Sequence, residues 1–401
     1  MILRDSTIPL RLDPYRYVRR RSTALGRPAF ETRLMLEPAL CVTGVAAARG
    51  FYDETRFTRA GAAPRFLRAT LFGEGGVQGL DGTAHRHRKA QFLRLLGPGR
   101  TDALTRRAAE GIAGLRDHGR LRLQDAFEEV LTAAVCDWAG LRLPAEEVPD
   151  RSRMLSQLFE HAGSVDPRHL LARRARRRAE AWAARQIDAV RGGHLALAED
   201  APLARIAAWT GPGGDPLEVR VAAVELLNVL RPFVAISAFL TFAAHALATE
   251  DGEAVRLAAD PDRIPLFVQE VRRTYPFFPL VVARARQPTR WMGFDLPRGR
   301  LVALDLWGTN RDPAAWRDPD IFRPERFADW QGDPFTLIPQ GGGDHAAGHR
   351  CPGEWVTKDV MEAATRVLVG LADWASLPPQ DLALDMRNLP GLPRDRMIVR
   401  L

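Results

Sequence analysis

The chain has 401 residues, of which 46% are hydrophobic, so it is long enough to bury a large core. Its formal net charge is +8, but nearly all of the positive charge is arginine, and the only lysines are Lys89 and Lys358. A GC-rich genome produces the same bias, so the charge is no argument for nucleic-acid binding. Cys41, Cys136 and Cys351 are too few and too scattered for a disulfide framework, which indicates a reducing compartment.

The overall pattern predicts a mainly α fold with minor β structure. No repeat, low-complexity block or linker divides the sequence, so we expect a single domain over residues 1–401. Residues 1–60, after a Pro-rich entry, are predicted to form a short β-rich region. From Asp81 to about Asp251, Ala- and Leu-rich segments separated by Gly- and Pro-rich turns predict helices. Minor β structure is predicted again over about 280–335.

One apolar segment has the length of a membrane span. Pro232 to Thr249 contains no Asp, Glu, Lys or Arg. It continues a longer amphipathic helix, whose start is predicted near Pro216 with Asp215 as N-cap and Glu218 as the capping-box acid. We therefore interpret the segment as a core helix. The first residues have neither a signal-peptide nor an anchor pattern, so the sequence predicts a cytoplasmic protein without a membrane span.

The densest basic run lies in the middle of the predicted helical region. Five arginines stand between Arg173 and Arg178 in an Ala-rich stretch. We interpret this run as the solvated face of a helix. The alternative is a contact with phosphate groups or with a membrane.

Cys351 lies where a Gly-rich loop meets a predicted helix. Pro352 fits the first turn of this helix, Glu354 follows, and apolar residues recur with helical spacing to Leu371. A thiolate at a helix N-terminus is stabilised by unpaired N–H groups and by the helix dipole. Glycines let the backbone lie flat against a large planar group, so this arrangement suits a thiolate-ligated haem. The alternative is a buried free cysteine after a surface loop.

Two further motifs precede this loop. Glu270 and Arg273, at the end of a predicted helix, share one face and can pair, and Arg326 follows in the motif Pro324-Glu-Arg-Phe327. The ordered set Glu-x-x-Arg, Pro-Glu-Arg-Phe and Gly-rich Cys-x-Gly resembles the cytochrome P-450 superfamily. The resemblance implies haem b between the long central helix and the Cys-loop helix, with Cys351 as the thiolate ligand of the iron. It also implies that Glu270, Arg273 and Arg326 form a buried ion network that fixes the Cys loop.

The central helix departs from most members of that superfamily. It lacks, at the expected place, the acid–alcohol pair that relays protons for O₂ activation. Instead, Arg231 stands in an apolar helix directly before Pro232, which must disturb the helical hydrogen bonds. An arginine beside an apolar cavity is well suited to bind a carboxylate through two hydrogen bonds. The alternatives are that Arg231 pairs with a protein acid such as Glu225 or reaches solvent.

Three segments resemble one family within the superfamily, the bacterial fatty-acid peroxygenases. They are the Arg231-Pro232 dipeptide, the stretch from Gln78 to Lys89, and the Cys loop, and the similarity runs from about Phe51 to the C-terminus. The resemblance implies a fatty acid and hydrogen peroxide as substrates, hydroxylation at the α or β carbon, and no obligatory reductase. The substrate carboxylate held by Arg231 would be the general acid–base for peroxide cleavage.

The resemblance also implies roles for individual residues. The catalytic group is Arg231, Pro232 and Gln78, and a glutamine at this last position favours hydroxylation over decarboxylation to a terminal alkene. Cofactor contacts are implied for His85, Arg59, Lys89, Gln340 and Gly341, and substrate contacts for Arg231, Gln78, Phe72, Phe277 and Phe278. His85-x-His87 is also a possible metal pair, but no carboxylate or cysteine of the motif completes it.

Two other interpretations of the haem protein stay open. One is a conventional O₂-dependent monooxygenase with external redox partners, which the missing acid–alcohol pair argues against. The other is a non-catalytic protein that binds haem or a fatty acid, which would bind the acid and form no product with peroxide.

Overall fold

Helices form most of the architecture in the computed structural model, which describes residues 4–164 and 166–401. The α-helices are α1 Thr7–Leu12, α2 Tyr17–Ala24, α3 Val45–Phe51, α4 Arg65–Leu71, α5 Gly82–Leu95, α6 Asp102–Ala113, α7 Leu123–Ala139, α8 Val148–Glu160, α9 Pro167–Arg191, α10 Pro202–Ala207, α11 Val219–Val234, α12 Ile236–Thr249, α13 Glu253–Ala259, α14 Ile264–Thr274, α15 Leu306–Thr309 and α16 Glu354–Leu368. The strands are β1 Ala29–Leu34, β2 Glu37–Thr43, β3 Phe57–Thr58, β4 Arg120–Arg122, β5 Leu280–Ala285, β6 Thr289–Trp291, β7 Phe294–Leu296, β8 Leu301–Asp305 and β9 Ile398–Arg400. The predicted class, mainly α with minor β, is confirmed.

The main sheet joins the two predicted β regions. Its strand order is β1-β2-β8-β5-β3, with β2 and β8 parallel and the other neighbours antiparallel. Met35 and Leu36 connect β1 to β2 with φ angles of +52° and +65°, the handedness that a two-residue hairpin turn requires. A separate pair, β4 with β9, places the last strand beside the start of α7.

The β region predicted within residues 1–60 contains β1, β2 and β3, and two short helices precede these strands. The helices α1 and α2 precede Ala29, where β1 begins. Val18 of α2 packs with Phe30 and Cys41 of the sheet in one buried cluster. This tertiary packing explains why a segment with a weak local pattern is helical. Residues Met1–Leu3, on which the prediction of no signal peptide or anchor partly rests, lie outside the described residues.

The long apolar segment forms a core helix, as the sequence indicates. Together α11 and α12 run from Val219 to Thr249, and 94% of the most apolar window is buried inside the protein. By length and composition alone this helix would be able to span a membrane, but a buried core helix passes the same test. The helix is interrupted at Ala235, three residues after Pro232, whose missing N–H removes one intrahelical hydrogen bond.

The start of α11 lies later than predicted. The helix begins at Val219, with Glu218 as its N-cap residue and no side-chain cap bond. Near Pro216 the chain instead forms a turn, because the N–H of Leu217 donates to the carbonyl of Trp209 at 2.9 Å. A backbone hydrogen bond to a residue eight positions earlier thus forms in place of the helix start that the capping pattern at Asp215 and Pro216 predicts.

The basic run of α9 is only partly a solvated face. Arg174, Arg177 and Arg178 are exposed, as predicted. Arg176 is only 2% exposed, and its Nε donates to Glu180 at 2.6 Å. The interpretation of a wholly solvated run is therefore wrong for Arg176, because α9 packs along α11 and this residue falls on the inner side.

Glu270, Arg273 and Arg326 meet in a buried cluster. Arg273 binds the Glu270 carboxylate through two N–H groups at 2.7 Å each, and the Nε of Arg326 lies 3.2 Å from the same carboxylate. Arg273 also donates to the carbonyl of Asn310 at 3.1 Å, and the Asn310 side chain accepts the N–H of Ile338 at 2.7 Å. The cluster is thus connected to Ile338, where the Gly-rich loop that leads to Cys351 begins; we call residues 338–353 the Cys loop.

Replacing Glu270 tests how much this cluster contributes to the free energy of unfolding. We expect Glu270→Ala to lower the free energy of unfolding by about 3–5 kcal/mol, because it leaves two buried guanidinium groups without their carboxylate. Urea denaturation measures the change. The matched control is Asp150→Ala, which breaks a pair with Arg153 whose side chains are 77% and 67% exposed. The control should cost at most about 1 kcal/mol, and equal losses in the two variants would contradict the assignment.

Candidate active site

The Gly-rich loop carries Cys351 to the start of α16. The helix begins at Glu354 with Gly353 as N-cap, so Pro352 precedes the helix and does not occupy its first turn as predicted. The N–H of Cys351 donates to the carbonyl of Gln340 at 3.2 Å and closes the loop. Burial raises the pKa of the Cys351 thiol, while the N–H of Gly353 acts in the opposite direction. A metal ion bound to the sulfur would displace this proton outright.

Lys89 of α5 binds two carbonyl groups of the Cys loop. Its ammonium group donates to the carbonyl of Gly348 at 3.0 Å and also to the carbonyl of Arg350. The side chain is buried, and burial lowers its pKa to about 8. Two of its three N–H donors are therefore used by the loop. The sequence also implies that Lys89 contacts a cofactor. This contact stays a prediction, and the third N–H group would make it.

A second buried ion network holds the other end of the loop, and the sequence analysis missed it. Arg272 and Arg350 each lie 2.5 Å from the Glu354 carboxylate, and Arg272 also donates to the side chain of Gln340 at 3.2 Å. Burial acts to raise the pKa of Glu354, but the two guanidinium groups outweigh it and hold this pKa below its usual value. The sequence signal that would have indicated this network is the pair Arg350 and Glu354, which lie on either side of Cys351.

Gln340 and Gly341 lie close to Cys351, where the sequence places them. The amide nitrogen of Gln340 is 3.9 Å from the Cys351 sulfur and 3.0 Å from the hydroxyl of Thr357. Gly341 has a φ angle of +92°, and a Cβ atom there would lie 3.5 Å from the hydroxyl of Tyr52. Glycine at this position permits the positive φ angle with which the loop turns.

A group of buried polar side chains lies beside the loop. The rings of His85 and His349 stack with centroids 3.9 Å apart, and His349 also faces Asp81 at 3.4 Å. Burial lowers the pKa of His85 to about 3, so this ring is neutral. One terminal nitrogen of Arg59 is buried without a hydrogen-bond partner among the described residues. Unsatisfied donors of this kind fit the propionate groups of a haem.

The structure does not bring His85 and His87 together as metal ligands. The ring of His87 points away and contacts the carbonyl of Thr210 at 3.0 Å. The carboxylate that the motif lacks is supplied instead by Glu54, whose ligand atom lies within 4.8 Å of those of His85 and His349. We assign no metal here, because these two histidines already belong to the group that fits a haem.

Arg231 is a buried cation without a carboxylate partner in the described part of the chain. Its side chain is only 6% exposed, Nη2 donates to Asn228 at 3.3 Å, and Nε has no partner. Glu225, the alternative partner, binds Arg88 at 2.5 Å and Asn228 at 2.9 Å instead. Burial lowers the pKa of Arg231 to about 9, which leaves the guanidinium charged at neutral pH. The site therefore lacks one negative charge.

Phe72 and Gln78 complete the surroundings of Arg231. The Cζ atom of Arg231 lies 5.6 Å from the centroid of the Phe72 ring. Gly76 packs between Gln78 and α11: a Cβ atom there would lie 3.2 Å from the Gln78 side-chain oxygen and 2.8 Å from the Asn228 amide. The Gln78 oxygen is buried and has no partner among the described residues. The structure thus brings Phe72, Gln78 and Arg231 to one place, as the sequence indicates.

Phe277 and Phe278 face different parts of the protein. Phe277 stacks on Phe239 of the central helix, with centroids 4.2 Å apart. Phe278 packs with the cluster beneath the main sheet. Their contacts with a substrate stay predictions, and of the two only Phe277 is stacked on α12, which continues from the helix that carries Arg231.

Removing the ammonium group of Lys89 tests its support of the loop. We expect Lys89→Met to lower the free energy of unfolding by about 1–3 kcal/mol and to reduce haem retention, because two buried carbonyls lose their donor. The other lysine provides the control. Lys358 forms a partly exposed pair with Glu362 at 3.3 Å, so Lys358→Met should cost at most about 0.5 kcal/mol. Equal haem loss from both variants would rule out this role for Lys89.

Residues 264–366 match the family model for cytochrome P450. This stretch runs from α14 to α16 and contains both ion networks and Cys351. Among curated proteins, cytochrome P450 71A8 of Mentha piperita is 37% identical over 136 residues, and (+)-menthofuran synthase of the same plant is 34% identical over 142 residues. Both matches cover 33% of this chain but only 26% and 28% of the relatives, so the chain spans about a quarter of their length.

Solved structures are similar along the whole chain. Cytochrome P450SP alpha (CYP152B1), solved in complex with (R)-ibuprofen, is 48% identical with a TM-score of 0.95 and covers 99% of this chain and 98% of that chain. Cytochrome P450EX alpha (CYP152N1), solved with myristic acid, is 38% identical with a TM-score of 0.93, and covers 100% and 98%. A variant of cytochrome P450 OleT in complex with arachidonic acid is 30% identical at the same TM-score of 0.93. A likeness of this extent places the chain in the CYP152 family of cytochromes P450, which are haem-containing oxidoreductases.

Proposed function

We propose that this protein is a fatty-acid peroxygenase, which uses hydrogen peroxide to hydroxylate a fatty acid at the α or β carbon. The observation that carries the proposal is Arg231, a buried cation that no carboxylate of the described chain neutralises. The head group of a fatty acid would supply the missing charge through a bidentate contact. Two of the similar structures contain fatty acids, myristic acid in P450EX alpha and arachidonic acid in the OleT variant.

The residues around Cys351 would hold the haem. Cys351 would be the thiolate ligand of the iron, Gln340 and Gly341 would contact the cofactor, and the bound haem would supply the oxidising chemistry. His85, His349 and Arg59 would bind the propionates. The unpaired nitrogen of Arg59 and the stacked, neutral histidines support this assignment.

The proton chemistry would be done by the substrate itself. Peroxide cleavage needs a group that takes a proton from one oxygen and delivers it to the other. Glu225 is the one acid of α11 and α12, and it binds Arg88. The hydroxyls of Ser237 and Thr241 are both hydrogen-bonded to Gln124, at 2.9 Å and 2.7 Å. A carboxylate fixed by Arg231 would therefore be the general acid–base.

The same contact would set the position of oxygen insertion. A carboxylate held at Arg231 fixes the first carbons of the acid in one place, so the α and β carbons would be presented for oxidation. Pro232 would hold this part of the helix in its interrupted geometry, and Phe72 and Phe277 would line the path of the alkyl chain. Gln78, whose side-chain oxygen is buried beside Gly76 without a partner among the described residues, would favour hydroxylation over decarboxylation.

The direct experiment is product analysis with haem-loaded protein, a saturated fatty acid and hydrogen peroxide, without a reductase. We expect the α- or β-hydroxylated acid. A terminal alkene as the main product would change the assignment to a decarboxylase. Turnover only with NAD(P)H and redox partners would identify a conventional monooxygenase. Binding of the acid, seen as a shift of the haem absorption, without any product would identify a non-catalytic binding protein.

Arg231→Met should separate activity from stability. We expect kcat/KM with fatty acid and peroxide to fall by a factor that corresponds to about 2–5 kcal/mol, because a buried charge contact is lost. The melting temperature of the acid-free protein should rise, because the variant removes a buried charge without a counter-ion. The exposed Arg177→Met is the control for both measurements. Near wild-type turnover in Arg231→Met would refute the anchoring role.

Acetate should partly replace the substrate carboxylate. With a substrate that has no carboxyl group, we expect peroxide turnover by the wild-type protein to increase when acetate is added, because acetate can occupy Arg231. The increase should be absent in Arg231→Met. Equal activation of both proteins would show that acetate acts elsewhere.

A further inference from the structure

Large exposed hydrophobic side chains are concentrated in a few neighbouring segments. Seven of the eleven that the described residues contain belong to α1, to the β1–β2 turn and to the first turns of α4 and α9. Ile8 and Leu36, for example, are 71% and 70% exposed. We call this set the apolar face, and its members are Ile8, Leu12, Met35, Leu36, Phe66, Leu170 and Leu171. Isolated exposed hydrophobic residues are normal, but a contiguous group marks an interaction surface.

Hydrogen bonds connect α1 to the β1–β2 turn. The N–H of Met35 donates to the hydroxyl of Thr7, and the N–H of Leu36 donates to the carboxylate of Asp5 at 2.8 Å. Ile8 follows Thr7 directly in the chain. These contacts place the apolar side chains of the turn next to those of α1.

A loop near the C-terminus connects α1 to the start of α9. Arg11 of α1 donates to the carbonyl of Arg387 at 2.9 Å. Two residues on, Leu389 lies against the connection between α8 and α9, since a Cβ atom at Gly163 would lie 3.5 Å from its side chain.

The first turns of α9 and α4 also touch each other. Phe66 packs edge to face on His169, with ring centroids 5.6 Å apart. Leu170 and Leu171 follow His169 in the chain. The members of the apolar face therefore belong to segments that are neighbours on the protein surface.

Folding does not require these apolar residues. The positive φ angles of Met35 and Leu36 suit asparagine or glycine, so large apolar side chains do not help this turn to form. Ile8 and Leu12 are one helical turn apart on the outer side of α1, a helix that contains no buried residue. A surface that covers them would bury apolar area that the folded chain leaves in water.

The rim of the apolar face is basic. Arg4 is exposed there, Arg33 donates to the carbonyl of Leu36 at 2.7 Å, and Arg11 donates to a carbonyl as well. Asp5 lies near Arg33, and Asp166 lies near Arg11 and is bound by Arg168 at 2.6 Å. The four arginines Arg4, Arg11, Arg33 and Arg168 outnumber these two acids, so the rim keeps an excess of positive charge. An apolar centre with an arginine rim is complementary to a lipid surface that carries negative head groups.

We propose that the apolar face docks the protein reversibly on an anionic lipid surface. Two of the elements that carry this face, α4 and α9, lead to residues near Arg231. The chain continues from α4 into Phe72, whose ring contacts Arg231, and Arg176 of α9 lies 3.5 Å from the Phe72 carbonyl. An amphiphile held in the lipid surface would thus lie next to the elements around the buried cation. Docking is independent of the proposed activity and is tested without turnover.

The test is co-sedimentation of the haem-loaded full chain with lipid vesicles. We expect binding to phosphatidylcholine vesicles that contain phosphatidylglycerol, weaker binding to pure phosphatidylcholine, and a decrease with added salt. The double variants Ile8→Ser/Leu12→Ser and Leu170→Ser/Leu171→Ser should each lower the partition coefficient by roughly tenfold or more. Each variant removes several methylene groups that would be buried in the lipid on docking. An unchanged haem absorption spectrum confirms that these variants fold.

The control replaces equally exposed hydrophobic residues elsewhere. Val255 and Ile321 are 73% and 60% exposed, in α13 and in the loop before Pro324. Val255→Ser/Ile321→Ser should bind vesicles like the wild type. Absence of wild-type binding, or an equal loss in this control, would overturn the proposal. A dimer that the face variants dissociate, without vesicle binding, would assign the surface to a second copy of the chain.

Discussion

The Cys loop depends on two adjacent arginines of α14 that point in different directions. Arg273 binds Glu270 and, through Asn310, reaches the residue at which the loop begins. Arg272 binds Glu354, the first residue of the helix that follows Cys351. One rigid helix therefore holds both ends of a loop that has little regular structure of its own. Buried ion pairs contribute little net stability, but they fix a geometry, and a metal-binding thiol needs a fixed position.

The same principle explains why Arg231 is exceptional. Burying an arginine is tolerated when a carboxylate comes with it, and this chain follows the rule at Arg88, paired with Glu225, and at Arg176, paired with Glu180. Around Arg231 the nearby acids are already committed, and only the amide of Asn228 remains. The unpaired charge of Arg231 therefore lowers the stability of the ligand-free protein, but it is also the group that would bind an anion. The cost of the unpaired charge is present in the empty site and is relieved when an anion enters.

Features that depend on short, ordered motifs were predictable from the sequence. The Glu270–Arg273 pair, the position of Cys351 and the unusual place of Arg231 in an apolar helix follow from local patterns, whereas the addition of Arg326 to the pair came from the family resemblance. Partners that are distant in the chain were not predictable. The contact of Lys89 with the loop carbonyls, the Arg272–Glu354 pair and the Glu54–His349 neighbourhood each join segments separated by more than eighty residues.

Local capping rules also failed where tertiary bonds compete with them. The turn that Leu217 and Trp209 close delays the start of α11, and packing on the sheet makes the N-terminal segment helical. Both differences have the same cause. Helix propensity and caps contribute about 1 kcal/mol each, which packing and long-range hydrogen bonds readily exceed.

The scarcity of lysine has a consequence for chemical and enzymatic modification. Lys89 is 2% exposed and engaged with loop carbonyls, whereas the side chain of Lys358 is 31% exposed. Acylating reagents and lysine acetyltransferases would therefore find one accessible side-chain amine, on α16. Acetylation of Lys358 would remove only one positive charge from this basic protein, because nearly all of its other positive groups are guanidiniums. Coupling through Lys358 would instead attach a label or a solid support at one defined place, on the helix that follows Cys351.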